Sequence, residues 1–547
     1  MNSKACLVGV IFCCLTVPAI ADHRHVKAPE AHTPPPVFDD LGTLQHAITT
    51  SSQTAQQYFD QGLRLVYAFN HDEANRAFTE AARLDPNCAM AYWGIAFTLG
   101  PNYNLPVDAE RDRAAYAAIQ KAVALAPNAS EAERAYIDAI AKRHVADPNA
   151  DRTVLDAAFA DAMREVAKRY PDDLDAATLF AESLMNLRPW GLWTHDGQPQ
   201  PGTEEIVSTL ESVLKRNPDH PGAIHYYIHA VEASNHPERA EPYADRLGKL
   251  VPGAGHLVHM PSHIYIRTGR YHDAAEVNAT AAAIDAAYIE KYDIQGPYRM
   301  MYYPHNIHFF WASATLEGRS KEALQAARDF SAKLPAEMVR QMPMVEGFFP
   351  TYLFALARFG KWQDILKQPA PPADLKYSTG MWHYARGWAF AATKQGDKAA
   401  AEQAKLADIA AVTPPDLRIM MNSGAALLML ASKVLAGEIA AKRGHYDEAV
   451  PLLETAVSMQ DGLGYEEPPA WYYPVRQSLG AVLLKAGRAE DAEAVYREEL
   501  RSNPENGWSL YGLTQSLRKQ KKKEASAEME KRFRKAWANA DVKLTAS

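Results

Sequence analysis

Two stretches, HYYIHAVEASNHPERA from His225 and HMPSHIYIRTGRYHDA from His259, each open on histidines four residues apart. The pairs are His225/His229 and His259/His263, and the second follows the first by 34 residues. On an α-helix, residues four apart share a face with Cβ atoms about 5–6 Å apart, so two imidazoles at that spacing can bind one metal ion. His256 precedes the second pair, and YYPHNIHFFW adds His305 and His308; ten of the chain's 19 histidines fall between residues 220 and 308. An all-imidazole set suits copper, zinc or iron rather than calcium or magnesium. Two carboxylates accompany it: Glu232, three residues after His229 on the same face, and Glu182 in LFAESLMNL. Either serves as an extra ligand or as a group that orients a ligand. In a hydrolytic site one of them would be general base to a metal-bound water.

Other residues of the same region bear on this chemistry. Met260, Met300 and Met301 are soft auxiliary ligands or, taken singly, core side chains. Trp190 and Trp193 stand on the insertion RPWGLWTHDGQPQP and can close over a site as a lid. Arg267 can hold an anionic substrate group or pair with a carboxylate. Tyr226, Tyr227 and Trp311 are expected to pack between helices, and His220, His236 and His272 to face solvent. The competing reading is a groove that binds an extended peptide, with histidines and tyrosines as hydrogen-bonding and stacking surfaces. Seven imidazoles gathered in one groove gain little without a common ligand and repel one another when protonated, which favours metal. No G-x-S-x-G, P-loop or dinucleotide-binding glycine pattern is present.

The elements that must position these residues are helices. Sustained two-residue alternation and Asn-Gly hairpins are missing, so no strands are expected. A helix-turn-helix unit of 34 residues recurs: GRYHDA (269–274), GKWQDI (360–365), GHYDEA (444–449) and GRAEDA (487–492) mark its turn, and Pro86, Pro127, Pro252 and Pro504 close units. One helix pair cannot bury its apolar face alone, whereas stacked pairs bury a continuous core. Insertions at 188–201 and 292–304 break the period, and such insertions often serve a site.

The 547 residues exceed one compact core. A net charge of -8 gives no indication of a nucleic-acid or anionic-membrane partner. Lys4, the apolar run CLVGVIFCCLTVPAIA and Ala19-Ile20-Ala21 read as a secretory signal cleaved after Ala21, giving an exported, periplasmic protein. Cys88 alone remains after cleavage, so no internal disulfide forms and no thiolate serves a metal. Residues 22–50 are a Pro-rich flexible leader, 51–173 the N-terminal repeats, 174–330 the His-rich central repeats and 331–540 the C-terminal repeats. The sequence leaves oligomeric state open.

The recurring turns and closing prolines resemble the tetratricopeptide repeat (TPR) family over about nine-tenths of the chain. The resemblance implies an all-α, right-handed superhelical solenoid of about ten helix pairs. Numbered so that the turn glycine is position 15, His225, His259 and His308 occupy position 5; His229, His263 and Glu182 position 9; His256 and His305 position 2. In that family these positions line the concave surface, and neighbouring helices lie about 8–10 Å apart. The stretch from HPGAIHYYIHAVEASNHPERA to HMPSHIYIRTGRYHDA also resembles the tetratricopeptide repeat 38-like family, which implies no reaction. Three imidazoles for each of two ions resembles coupled dicopper proteins. The expectation is therefore a mono- or dinuclear centre, copper favoured over zinc or iron, in an oxidoreductase for a small organic substrate. The alternatives are a scaffold for a peptide or envelope-protein partner, a metal carrier without catalysis, and a zinc- or iron-dependent hydrolase.

Overall fold

A computed structural model describes residues 33–147 and 149–546. The expected signal peptide, and residues 22–32 of the leader, lie outside the described residues. Residues 37–547 form one compact unit.

Among the described residues, α-helices pair twelve times in chain order, from Gln53–Tyr67 with His71–Leu84 to Gly507–Lys519 with Lys523–Ala536. Each pair packs on the next, and the chain is an all-α solenoid of TPR-like helix pairs. About ten were expected from the sequence. The stacking depends on small residues. The ring of Phe78 sits where a Cβ on Gly62 or Gly94 would come within 2.6 and 2.4 Å, so one aromatic knob fills the gap between two first helices. Gly269, at φ 83°, ends one first helix in the left-handed conformation that glycine adopts without penalty.

Three departures from a plain solenoid shape the centre of the molecule. The first helix of the sixth pair is broken by Pro261 into Gly255–His259 and Pro261–Thr268, because proline lacks the N–H that a continuous helix needs. The last pairs fold back on the middle ones: the Trp508 indole donates to the Thr315 carbonyl at 3.1 Å, and the Tyr271 hydroxyl to the Pro504 carbonyl at 2.9 Å. Finally, a two-stranded ladder pairs Arg418–Ile419 with Asn422–Ser423, where no strand was expected; two residues a side are too few to leave an alternating pattern.

Residues 38–50 form neither helix nor strand, and they are pinned to the first repeats. Arg64 Nε donates to the Leu44 carbonyl at 2.6 Å, and the Thr49 amide and hydroxyl both donate to Glu133 at 2.5 Å. The helix Gly424–Arg443 is long and apolar enough to cross a membrane by length and composition, and 67% of its apolar window is buried in the core.

Candidate metal centre

Six histidines converge from the first helices of three successive pairs, Pro221–Val231, Gly255–His259 with Pro261–Thr268, and Tyr303–Glu317. They form two sets of three, His225/His229/His256 and His259/His263/His305, with the ligand atoms of each set within 4.8 Å of one another. The first five are at most 2% exposed. The sets adjoin: the rings of His256 and His259 lie 5.7 Å apart, those of His229 and His263 5.4 Å.

The outer nitrogens are held from behind. His225 Nδ1 donates to the Tyr67 carbonyl at 2.6 Å and His259 Nδ1 to Asn278 Oδ1 at 2.6 Å. His229 Nδ1 donates to Glu232 Oε1 at 2.8 Å, and His263 Nδ1 to Glu232 Oε2. With the proton on Nδ1, each Nε2 presents a lone pair to the interior. The Nε2 atoms of His225 and His256 are 3.2 Å apart, and those of His259 and His263 2.8 Å. At a Zn–N or Cu–N bond of about 2.0–2.1 Å, two tetrahedral ligand nitrogens stand about 3.3 Å apart. For His259 and His263, whose Nδ1 atoms both donate elsewhere, facing Nε2 atoms at this separation need a proton or a metal ion between them; His256, whose Nδ1 is uncommitted, can instead donate from Nε2 to His225. His229 Nε2 is buried without a partner among the described residues, as is His256 Nδ1.

Electrostatics divide the cluster. Burial, and then the neighbouring imidazoles, hold His225, His256, His259 and His305 well below the usual histidine range. Burial lowers His229 too, though Glu232 opposes it. Burial also disfavours charge on His263, but Glu232 and Glu467 outweigh it and raise it to about 10. In turn the two imidazoles overcome the burial of Glu232 and lower it to about 2. In the metal-free centre the charge that Glu232 and Glu467 favour on His263 lets its Nε2–H donate to His259 Nε2. Glu232, the bridge behind His229 and His263, thus occupies the place of an orienting carboxylate.

Not every expected residue reaches this centre. His308 turns away: three residues from His305 on the same helix, it packs against Trp311, Phe330 and Phe348 at 5.0–5.1 Å between rings, and burial lowers it to about 3. Glu182 bonds Asn186 at 2.6 Å and lies near Arg143 rather than the histidines; burial raises it to about 7. Met300 and Met301 are exposed, at 45% and 37%, while Met260 is buried at the break before Pro261. Trp190 does cover the centre, its ring 5.7 Å from His229, and Trp193 ties the insertion down by donating to the Ala230 carbonyl at 2.7 Å. Arg267 donates to the Ser234 carbonyl at 3.3 Å and stacks over Tyr465. His220 is a correction. Expected to face solvent, it is 1% exposed, because it caps the helix Pro221–Val231 through the Ala223 amide and contacts Asp175 at 3.2 Å.

Sequence reasoning missed several contributors. Glu467 arrives from the segment 462–474, and its Oε2 lies 3.1 Å from His263 Nδ1. Tyr103 packs on His229 at 5.2 Å, Phe69 on His225 at 4.4 Å, and Phe309 on His263 at 4.9 Å. The one available signal was composition: YEEPPAWYYP is a third aromatic, Pro-rich interruption of the repeat. Replacing Glu467 by Ala is expected to weaken metal binding about tenfold by freeing His263, the effect usual for an outer partner. Competition against a chromophoric chelator reads this; an unchanged affinity would remove Glu467 from the centre.

Comparisons with known proteins bear on the fold alone. No family model matches the chain, and no curated protein is significantly similar to it. Among solved structures, a human IFIT1 dimer aligns at 12% identity, covering 90% of this chain and 92% of that one, with a TM-score of 0.34. Yeast Tom70 aligns at 11% identity over 88% and 93%, with a TM-score of 0.28, and the APC/C hetero-tetramer Cut9–Hcn1 at 12% over 85% and 76%, with 0.31. The fold assignment stands on the helix pairs themselves.

Proposed function

We propose that this chain is an exported metalloprotein whose centre holds two transition-metal ions, three imidazoles to each, and that copper is the resident metal. The observation that carries the reading is the convergence of two three-imidazole sets, with Nε2 contacts of 3.2 and 2.8 Å and with the Nδ1 atoms of His225, His259 and His263 already committed to oxygen acceptors. His225, His229 and His256 would hold one ion, and His259, His263 and His305 the other. A donor set of neutral imidazoles without thiolate suits copper, with zinc or iron as alternatives. Such a pair of ions supplies one-electron chemistry and oxygen activation, so oxidation of a small organic substrate is the activity proposed. The protein's own contribution is to orient the imidazoles through Glu232, Asn278 and the Tyr67 carbonyl and to exclude water with Phe69, Tyr103, Trp190 and Phe309. Membership of the tetratricopeptide repeat 38-like family is proposed from the paired-His stretch alone.

A scaffold binding a peptide or envelope protein is the second reading, favoured by the solenoid of helix pairs. It gives no account of the histidines, since residues at most 2% exposed are out of a peptide's reach. Elemental analysis of the full chain, purified without a His-tag, tests the proposal. About two equivalents of copper are expected, largely lost in His259→Ala, together with a rise in Tm on metal binding. Zinc or iron at that level would redirect the chemistry to hydrolysis or other oxygen chemistry. Absence of metal, with no tight uptake of added copper or zinc, would overturn it in favour of the scaffold.

A further inference from the structure

Three pieces of chain outside the helix pairs meet at one place. They are the turn Pro343–Phe348, the ribbon that pairs Arg418–Ile419 with Asn422–Ser423, and the segment 462–474. They are stitched together: the Met420 amide donates to the Met344 carbonyl at 3.1 Å, and Glu466 Oε1 accepts from the Met421 amide at 2.8 Å and from Asn422 Nδ2 at 2.6 Å. Ile419 closes on the turn, its Cγ2 2.5 Å from where a Cβ on Gly347 would stand. The stacking of helix pairs requires none of these contacts. Together with the helices Tyr303–Glu317 and Thr351–Arg358, the three pieces frame a cleft of about 410 Å³, part of it open to solvent. Its lining runs from the buried His308 and Trp311 to the exposed Pro469.

The buried end of this lining holds polar atoms without partners. His308 is 8% exposed and Trp311 3%, yet His308 Nδ1 and Trp311 Nε1 have no hydrogen-bond partner among the described residues. Their rings lie 5.0 Å apart. The neutral imidazole carries one N–H and one lone pair, and the indole only an N–H. Buried polar groups left unpaired are costly and call for a partner. A hydroxyl answers both: its oxygen accepts from the indole, and it donates to His308 or accepts from it, whichever nitrogen holds the proton. The rest of the wall is aromatic and flat. Phe354 and Tyr472 stack with 4.5 Å between ring centres and 2° between planes, and Phe348 and Pro468 adjoin them in the lining. Such a wall suits an aromatic body. Among the described residues no Lys or Arg lines the cleft, and Glu466 does, which disfavours an anion.

We propose that this cleft binds a small uncharged aromatic alcohol, its hydroxyl set between Trp311 Nε1 and His308 and its ring along the apolar wall. His308 stands three residues from His305 and Glu466 next to Glu467, yet binding here requires no metal, so calorimetry on the metal-free full chain tests it apart from the metal reading. Phenol is expected to bind with a Kd of about 1 mM or tighter and to raise Tm with concentration. Toluene, which lacks the hydroxyl, should bind about fivefold more weakly or worse, the ordinary worth of one hydrogen bond, and benzoate about tenfold more weakly or worse. Trp311→Phe removes the indole N–H and keeps a ring; it should weaken phenol about fivefold and leave toluene within about twofold. Ala470→Trp, on a half-buried stretch of the lining without helix or strand, fills the cleft and should abolish the binding of both. Should Trp311→Phe fail to fold, the ratio of phenol to toluene in the wild type and the Ala470→Trp variant still decide. No binding of phenol, toluene or benzoate bound as tightly as phenol, or phenol binding unchanged in Trp311→Phe or in Ala470→Trp, would overturn the proposal.

Discussion

Glu232→Ala is expected to remove most of the bound metal and to destabilise the metal-free protein by about 3–5 kcal/mol, the usual consequence of deleting one partner from a buried charged pair. Glu232 is 1% exposed and accepts from two imidazoles on different helices, His229 at 2.8 Å and His263. Truncation leaves the buried His229 Nδ1–H without an acceptor and His263 Nδ1–H with Glu467 alone, and deprives His263, the imidazole raised to about 10, of its principal counter-charge. The consequence for metal is larger than for an ordinary outer partner, because one carboxylate orients one ligand of each three-His set. The loss of affinity should therefore lie toward the hundredfold end of the usual range. Glu232→Gln keeps the volume but sets an NH2 donor against one Nδ1–H, so only one imidazole stays correctly held. Urea unfolding of the stripped protein and chelator competition of the loaded one separate the two effects. A residue that merely braced the fold would lower the first and leave the metal affinity of the folded fraction within about twofold.

The register of the two HxxxH pairs was legible because a 34-residue interval is one structural repeat, which sets corresponding residues on neighbouring first helices. Register set His308 at position 5 beside His225 and His259, as a main ligand, and His305 at position 2 beside His256, as completing the centre; the structure brings His305 in and turns His308 out. Their separation depends on helix phase: three residues turn a helix by about 300°, so when His305 faces His259, 4.8 Å away, His308 is swung towards Phe348. Glu182 shares its register position with His229 and His263, yet its carboxylate lies with Asn186 and Arg143, because register fixes a helix face and not where a long side chain ends. Glu467 was not legible. It stands far from His263 in sequence, on a segment without period, and it arrives only because the last helix pairs fold back on the middle ones. The stretch 38–50 reads as loose by composition; what pins it are side chains of the first repeats, Gln56, Arg64 and Glu133, whose donors and acceptors leave no pattern in the stretch itself.

Metal-free protein is expected to lose stability steeply below pH 6.5, and metal should move that loss to lower pH. Six imidazoles, the buried His225, His229, His256, His259 and His308 and the half-buried His305, are held below their ordinary value of 6.5. Below that pH the unfolded chain takes up protons that the folded chain refuses, so each contributes stability above 6.5 that is lost as pH falls. Each proton so refused adds up to about 1.4 kcal/mol per pH unit to the slope; His71 and His144, lowered by burial, act in the same sense, and the carboxyls that burial raises to about 7 or 8, Glu182, Asp285, Glu466, Glu467 and Glu499, oppose it. His263 acts in the opposite sense. Raised to about 10, it contributes fully below 6.5 and loses that contribution as pH climbs towards 10; with His46, which Asp175 raises to about 8 against its burial, it gives a gentle alkaline limb of two protons. Stability should therefore peak near pH 7 with strongly unequal flanks. Bound metal occupies the same lone pairs that protons would take, so acid must displace it first. Denaturant melts between pH 4.5 and 10, with and without metal, measure both limbs, and His225→Ala should shallow the acid limb by about one proton. A flat profile between pH 5 and 7 in the metal-free protein would mean that the imidazoles are hydrated, and a hydrated cluster would no longer force a cation between His259 and His263.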